Sequence, residues 1–118
     1  MAHKTLTHPV LGDRLTVLTT AEESGGELFR FEYAARAVTP PPPDHMHAEQ
    51  EERIEVLAGR LHCRINGEES MLRTGERIVF PAGVYHTVWN ADVEGSRSIG
   101  EYRPALDTEA MFDALFVA

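Results

Sequence analysis

Turn signals break this chain about every ten residues from residue 14 to residue 103, and the segments between them alternate apolar with polar side chains. Arg14 to Thr19 is one such run, and Leu28 to Ala35 places Phe29, Phe31, Tyr33 and Ala35 on one face with Arg30 and Glu32 on the other. Four prolines, Pro40 to Pro43, cannot donate ladder hydrogen bonds and force an extended loop. Glu52 to Leu57 resumes the alternation, Gly59 interrupts it, and Leu61, Cys63 and Ile65 alternate with His62, Arg64 and Asn66 up to an Asn66-Gly67 hairpin turn. After Gly75, Ile78 and Phe80 alternate with Arg77 and Val79; Pro81 to Gly83 turn the chain, and Tyr85 to Asn90 and Arg97 to Arg103 complete the set. About nine short strands predict an all-β closed barrel or sandwich, because closure is how such chains remove exposed edges.

The pattern changes after Pro104. Asp107 or Thr108 can cap a short C-terminal helix, about residues 107 to 116, with Met111 and Leu115, and Phe112 and Phe116, paired at i and i+4. Docking against the barrel's outer wall is the expected cover for its apolar face. At 118 residues the chain fits one domain that needs no disulfide staples. The only cysteine, Cys63, lies in an alternating run and reads as a buried thiol. A net charge of -8, with eleven scattered basic residues, argues against nucleic acid and anionic membrane as partners. No leader-like apolar region occupies residues 1 to 20 and no stretch approaches a membrane span, so the expected location is cytoplasmic.

The chemistry is carried by histidine and glutamate. His45 and His47 are two apart, so on extended backbone both imidazoles leave one face. Glu52 shares parity with Ile54 and Val56 and therefore faces the interior, while His86 follows the Pro-x-Gly turn that aims it inward. Imidazole nitrogens and a carboxylate oxygen converging from separate elements suit one divalent Fe, Mn, Ni, Co, Cu or Zn ion. His3 and His8, near an N-terminus expected to be mobile, and His62, on the outer face, fall outside this set.

These residues closely resemble the cupin superfamily. Its first motif, G(X)5HXH(X)3-4E(X)6G, is met from His45 through His47 and Glu52 to Gly59, with Thr39 where the leading glycine would stand. Its second, G(X)5PXG(X)2H(X)3N, is met by Gly75, Pro81, Gly83, His86 and Asn90. The resemblance spans roughly residues 28 to 103 and implies a jelly-roll β-barrel (a double-stranded β-helix), a metal held by three histidines and one glutamate, and a homodimer. Glu51 is the rival to Glu52, and the distance to Gly59 favours Glu52.

Strand parity predicts an apolar pocket wall that includes Phe31, Tyr33, Val56, Cys63, Phe80 and Val88. Gln50 shares the parity of Glu52 and either reaches a substrate or water, or faces solvent. Leu57 and Trp89 fall on the opposite face, under the helix or in a dimer contact. Four protein ligands leave an octahedral ion two open positions, and an apolar wall favours a small apolar or aromatic compound. The expectation is a metal-dependent oxidoreductase of dioxygenase type. The alternatives are a metal-assisted isomerase or cyclase, or a non-catalytic module that binds a small ligand or a metal.

Overall fold

The computed structural model describes residues 3–117. Nine strands are present among them: β1 Lys4–Thr7, β2 Arg14–Thr19, β3 Phe29–Ala35, β4 Glu51–Ala58, β5 Arg60–Ile65, β6 Glu68–Arg73, β7 Arg77–Phe80, β8 His86–Asn90 and β9 Ser96–Arg103. One helix, α1 Thr108–Leu115, follows. All strand pairings are antiparallel. They form a six-stranded sheet in the order β1-β2-β3-β9-β4-β7 and a three-stranded sheet in the order β6-β5-β8. The architecture is the all-β jelly roll with a short C-terminal helix. No helix among the described residues is long and apolar enough to cross a membrane.

Alternation decides the inside of each strand. On β4, Glu52, Ile54 and Val56 are buried while Arg53 and Leu57 are exposed; on β5, Leu61 and Cys63 are buried. The β5–β6 hairpin turns at Asn66 (φ 49°) and Gly67 (φ 84°), the left-handed pair that matches strand twist. Gly59, the last glycine of the first motif, has φ 78°, and a Cβ there would stand 2.5 Å from the Gly95 carbonyl oxygen. A side chain at that corner is excluded on both counts.

Two apolar clusters divide the core. Ile54, Val56, Leu61, Cys63, Leu72 and Phe80 fill the space between the sheets. Leu6, Leu15, Val17, Phe29, Phe31, Tyr102, Ala105 and Phe116 form the second, with Phe112 against it. Helix α1 therefore covers the inner face of β1, β2, β3 and β9, where the six-stranded sheet runs beyond the smaller one, and not the outer wall. Burial explains the difference: the aromatic inner residues of β3 offer Phe112 and Phe116 an apolar surface, whereas the outer residues Arg30 and Glu32 do not. Met111 and Leu115 remain exposed. Asp107 makes no capping bond; the Thr108 hydroxyl instead donates to the Ala105 carbonyl at 2.7 Å.

The N-terminal segment is also held. β1 pairs with β2 and buries Leu6, and the His8 ring accepts the amides of Val10 and Leu11 while meeting Phe116 edge-on. Leu57 and Trp89 lie on different sheets, and neither sits under α1. Trp89 stacks on His62 and lies beneath the Arg64 guanidinium, while Leu57 is open to solvent.

Candidate metal centre

The four residues reach the centre from three structural origins: His45 and His47 from the segment after the proline run, Glu52 from β4 and His86 from β8. The proline run ends in an extended segment in which the backbones of His45 and His86 exchange hydrogen bonds of 2.9 and 2.8 Å. His45 is thus tied to β8 by a single bridge and is not part of a longer strand. Two residues on, the His47 carbonyl accepts the Gly83 amide at 2.9 Å, which anchors the first motif to the Pro-x-Gly turn of the second. Glu52 is paired with Phe80 on one side and Tyr102 on the other. His86 opens β8 with Phe80 stacked on its ring, centroids 4.2 Å apart and planes at 8°.

One ligand atom from each of His45, His47, Glu52 and His86 lies within 4.8 Å of the other three. His86 sets its Nδ1 3.0 Å from the Val84 carbonyl and its Nε2 2.9 Å from Glu52 Oε1. His47 Nε2 stands 3.4 Å from the same oxygen, is buried, and has no hydrogen-bond partner. A buried ring nitrogen left without a partner costs free energy, and a divalent cation among these atoms would satisfy it. The residues fit a metal ion: His47, Glu52 and His86 are inside, and His45 is on the rim.

Charge is already arranged for a cation. Burial pushes the Glu52 carboxyl up, but the imidazoles of His47 and His86 outweigh burial and hold it below the ordinary carboxylate range. Burial disfavours a charged His86 ring, yet Glu52 and the Val84 carbonyl more than offset this and raise its pKa. Tyr102, beside Glu52 across the β4–β9 ladder and 5.4 Å ring to ring from His47, is pushed well up by burial first and by Glu52 second. Its hydroxyl keeps its proton.

A cavity of about 250 Å³ opens between the sheets and meets the centre at Glu52 and Tyr102. Phe31, Ile54, Leu61, Val88 and Phe112 make its apolar walls, and Ala37, Thr39 and Pro42 of the proline loop lie along it.

The family model described as Cupin domain matches residues 29–97, more than half of the chain. This chain is a cupin. Solved structures agree on the fold. KdgF from Halomonas sp. shares 17% identity over 91% of each chain with a TM-score of 0.75. An RmlC-like cupin from Shewanella frigidimarina shares 18% over 88% of this chain and 86% of its own, TM-score 0.70. The cupin domain of Cnp3 from Schizosaccharomyces pombe shares 12% over 94% and 73%, TM-score 0.68. No curated protein sequence matches.

Of the residues that parity placed around the cupin's pocket, Phe31, Tyr33 and Val88 line the cavity. Val56, Cys63 and Phe80 are fully buried in the core cluster behind it, and Phe80 serves as the platform for the His86 ring. Gln50 neither faces solvent nor reaches the cavity: its amide donates to the Pro104 and Ala105 carbonyls at 2.9 and 3.0 Å, pinning the chain that leads into α1. Glu51 points outward to Arg53 at 2.6 Å. Sequence reasoning overlooked Tyr102 and Asp13. The first was accessible from parity, because Ser98, Gly100 and Tyr102 share a face of β9; the second was not, because Asp13 precedes β2 and meets Tyr33 only through the β2–β3 register.

Proposed function

We propose that this cupin binds one divalent transition-metal ion through His45, His47, Glu52 and His86, and acts as a metal-dependent oxidoreductase of dioxygenase type on a small apolar or aromatic compound. The supporting observation is the apolar cavity that ends at Glu52. An ion with four protein ligands supplies open positions for substrate and dioxygen together. The chain's own part is to hold the substrate's apolar body between Phe31, Ile54 and Phe112, to exclude water from that volume, and to offer the Tyr102 hydroxyl as a hydrogen-bond donor beside the ion.

Tyr102 also favours a second reading. A protonated phenol next to a Lewis-acidic ion suits an isomerase or cyclase, in which a carbonyl is polarised and a proton is delivered without oxygen. Metal analysis of protein purified without added metal, followed by an aerobic and anaerobic screen of aromatic and apolar compounds, separates the readings. Metal-dependent oxygen uptake supports the first, and anaerobic turnover supports the second. Binding without turnover would leave a non-catalytic ligand-binding module.

A further inference from the structure

His45 is the least fixed of the four candidate ligands. Glu52 and His86 sit on strands, and His47 is tied to the Pro-x-Gly turn. His45 stands on the exposed rim, behind residues 37–43, which make no backbone–backbone hydrogen bond among the described residues. Besides the two backbone bonds to His86, one polar side-chain contact ties its segment to the barrel: Asp44 Oδ1 accepts Arg64 Nη1 at 2.8 Å.

Register explains why these two side chains meet. Arg64 on β5 is paired with Thr87 on β8, and the antiparallel bridge between His45 and His86, continued by one residue, sets Asp44 opposite Thr87 on the other side. Arg64, Thr87 and Asp44 therefore form one row that faces outward, while His45 and His86, one residue along, face the centre. The ion pair crosses over Thr87, which is wholly buried although it points away from the core, and whose hydroxyl has no partner.

Arg64 is itself steadied. Its guanidinium lies 5.3 Å from the Trp89 ring, which stacks on His62, and its Nη2 reaches Glu69 at 3.4 Å. The Arg64 side chain is only 24% exposed, so its planar fork is held in place when it grips Asp44.

Resting on the reading that His45 ligates an ion, we propose that Arg64 is a positioning residue for that ligand: through Asp44 it holds the segment so that the His45 ring stands at the centre before an ion arrives. A ligand held in advance binds more tightly because less chain must be ordered on binding. The sign of the effect is diagnostic. Arg64 is a cation on the strand next to His86, so by charge alone its removal would tighten the binding of a metal ion, whereas by positioning its removal weakens it.

Co2+ alone is the probe, since sites with nitrogen and oxygen donors bind it at least as tightly as Mn2+ or Fe2+. Dissociation constants are measured by calorimetry, and circular dichroism checks the fold of each variant. Arg64→Gln is expected to bind Co2+ about fivefold more weakly than the wild type, and Arg64→Lys to lie between them. Arg60→Gln, which removes a cation of the same strand paired with Asp92, should bind Co2+ as the wild type does or slightly more tightly. Asp44→Asn should also weaken binding, and adding Arg64→Gln to it should cost less than about twofold more, because the two act as one pair. Unchanged or tighter binding by folded Arg64→Gln, or a loss that adds in full to that of Asp44→Asn, overturns the proposal and leaves the metal centre standing. Should Arg64→Gln not fold, Arg64→Lys decides, and an affinity equal to the wild type's overturns the proposal. Wild-type protein that binds no Co2+ sinks the reading of His45 as a ligand, and this inference with it.

Discussion

His86 Nε2 lies 2.9 Å from Glu52 Oε1 although the two residues are 34 positions apart, and the other ring nitrogen faces the Val84 carbonyl. With an acceptor at each nitrogen, the metal-free ring is satisfied only as imidazolium. A metal taking Nε2 must displace a proton. Titrating a divalent ion into lightly buffered protein below the raised pKa of His86 should release about one proton per ion, read with an indicator dye. Uptake without proton release would contradict the arrangement.

The same pair makes the metal-free protein's stability bell-shaped in pH. Glu52 has a lowered pKa in the folded state, so its contribution is present above its unfolded value and is lost as pH falls through the folded one. His86 has a raised pKa, so its contribution is full below its unfolded value and is lost as pH rises through the folded one. Melting temperature measured without metal should therefore peak between the two. Glu52→Gln should flatten both limbs.

Metal at about a hundred times its dissociation constant should add roughly 2.7 kcal/mol of stability if it binds only the native state. Alanine at His45, His47, Glu52 or His86 should remove most of that gain. Glu51→Ala should not, because Glu51 is turned outward to Arg53. Melting with and without each ion, together with metal content, checks the set, and equal losses for the two glutamates would undo the choice between them.

Phe80 tests packing against orientation. Phe80→Glu should unfold the barrel, since this ring is fully buried and lies flat on His86. Phe80→Leu should leave a folded protein with about tenfold weaker metal binding, because the ring that steadies His86 is gone. Arg64→Glu, on the outer face, should lower the melting temperature far less than Phe80→Glu.

A homodimer is expected through the outer face of the six-stranded sheet, where Leu57 and Val79 are exposed among alternating Arg and Glu residues such as Arg30, Glu101, Arg77 and Glu55. Light scattering at micromolar concentration should give twice the 13.2 kDa chain mass, and Leu57→Glu should give the monomer. A monomeric parent protein would refute this.

Strand parity and motif spacing made most of the barrel and all four residues of the candidate centre legible. Glu52 and His86 owe their place to local rules: two-residue alternation and a turn of fixed length. What parity could not supply was depth. It put Val56, Cys63 and Phe80 on the inner face, but whether an inward residue borders a cavity or is packed behind it depends on what stands opposite. Helix α1 shows the same limit, for its period revealed an apolar face without saying which side of the sheet would cover it. β1 was missed because Lys4–Thr7 buries only Leu6, too weak a signal in four residues. Gly100 was invisible for the opposite reason: a glycine has no pattern to read, yet a Cβ there would come within 2.4 Å of the Phe31 ring.

The proline loop has a mechanical consequence. Ala37, Thr39 and Pro42 flank the cavity, and three residues beyond Pro42 the same segment delivers His45 to the centre. One strap is thus both side wall and carrier of a candidate metal ligand. With an ion bound at His45, any displacement wide enough to admit a guest would pull on that ligand, and the ion would hold the wall in place. Linkage would make that coupling reciprocal: a guest that props the strap open would weaken the binding of an ion at His45, and the ion would weaken the binding of that guest by the same factor.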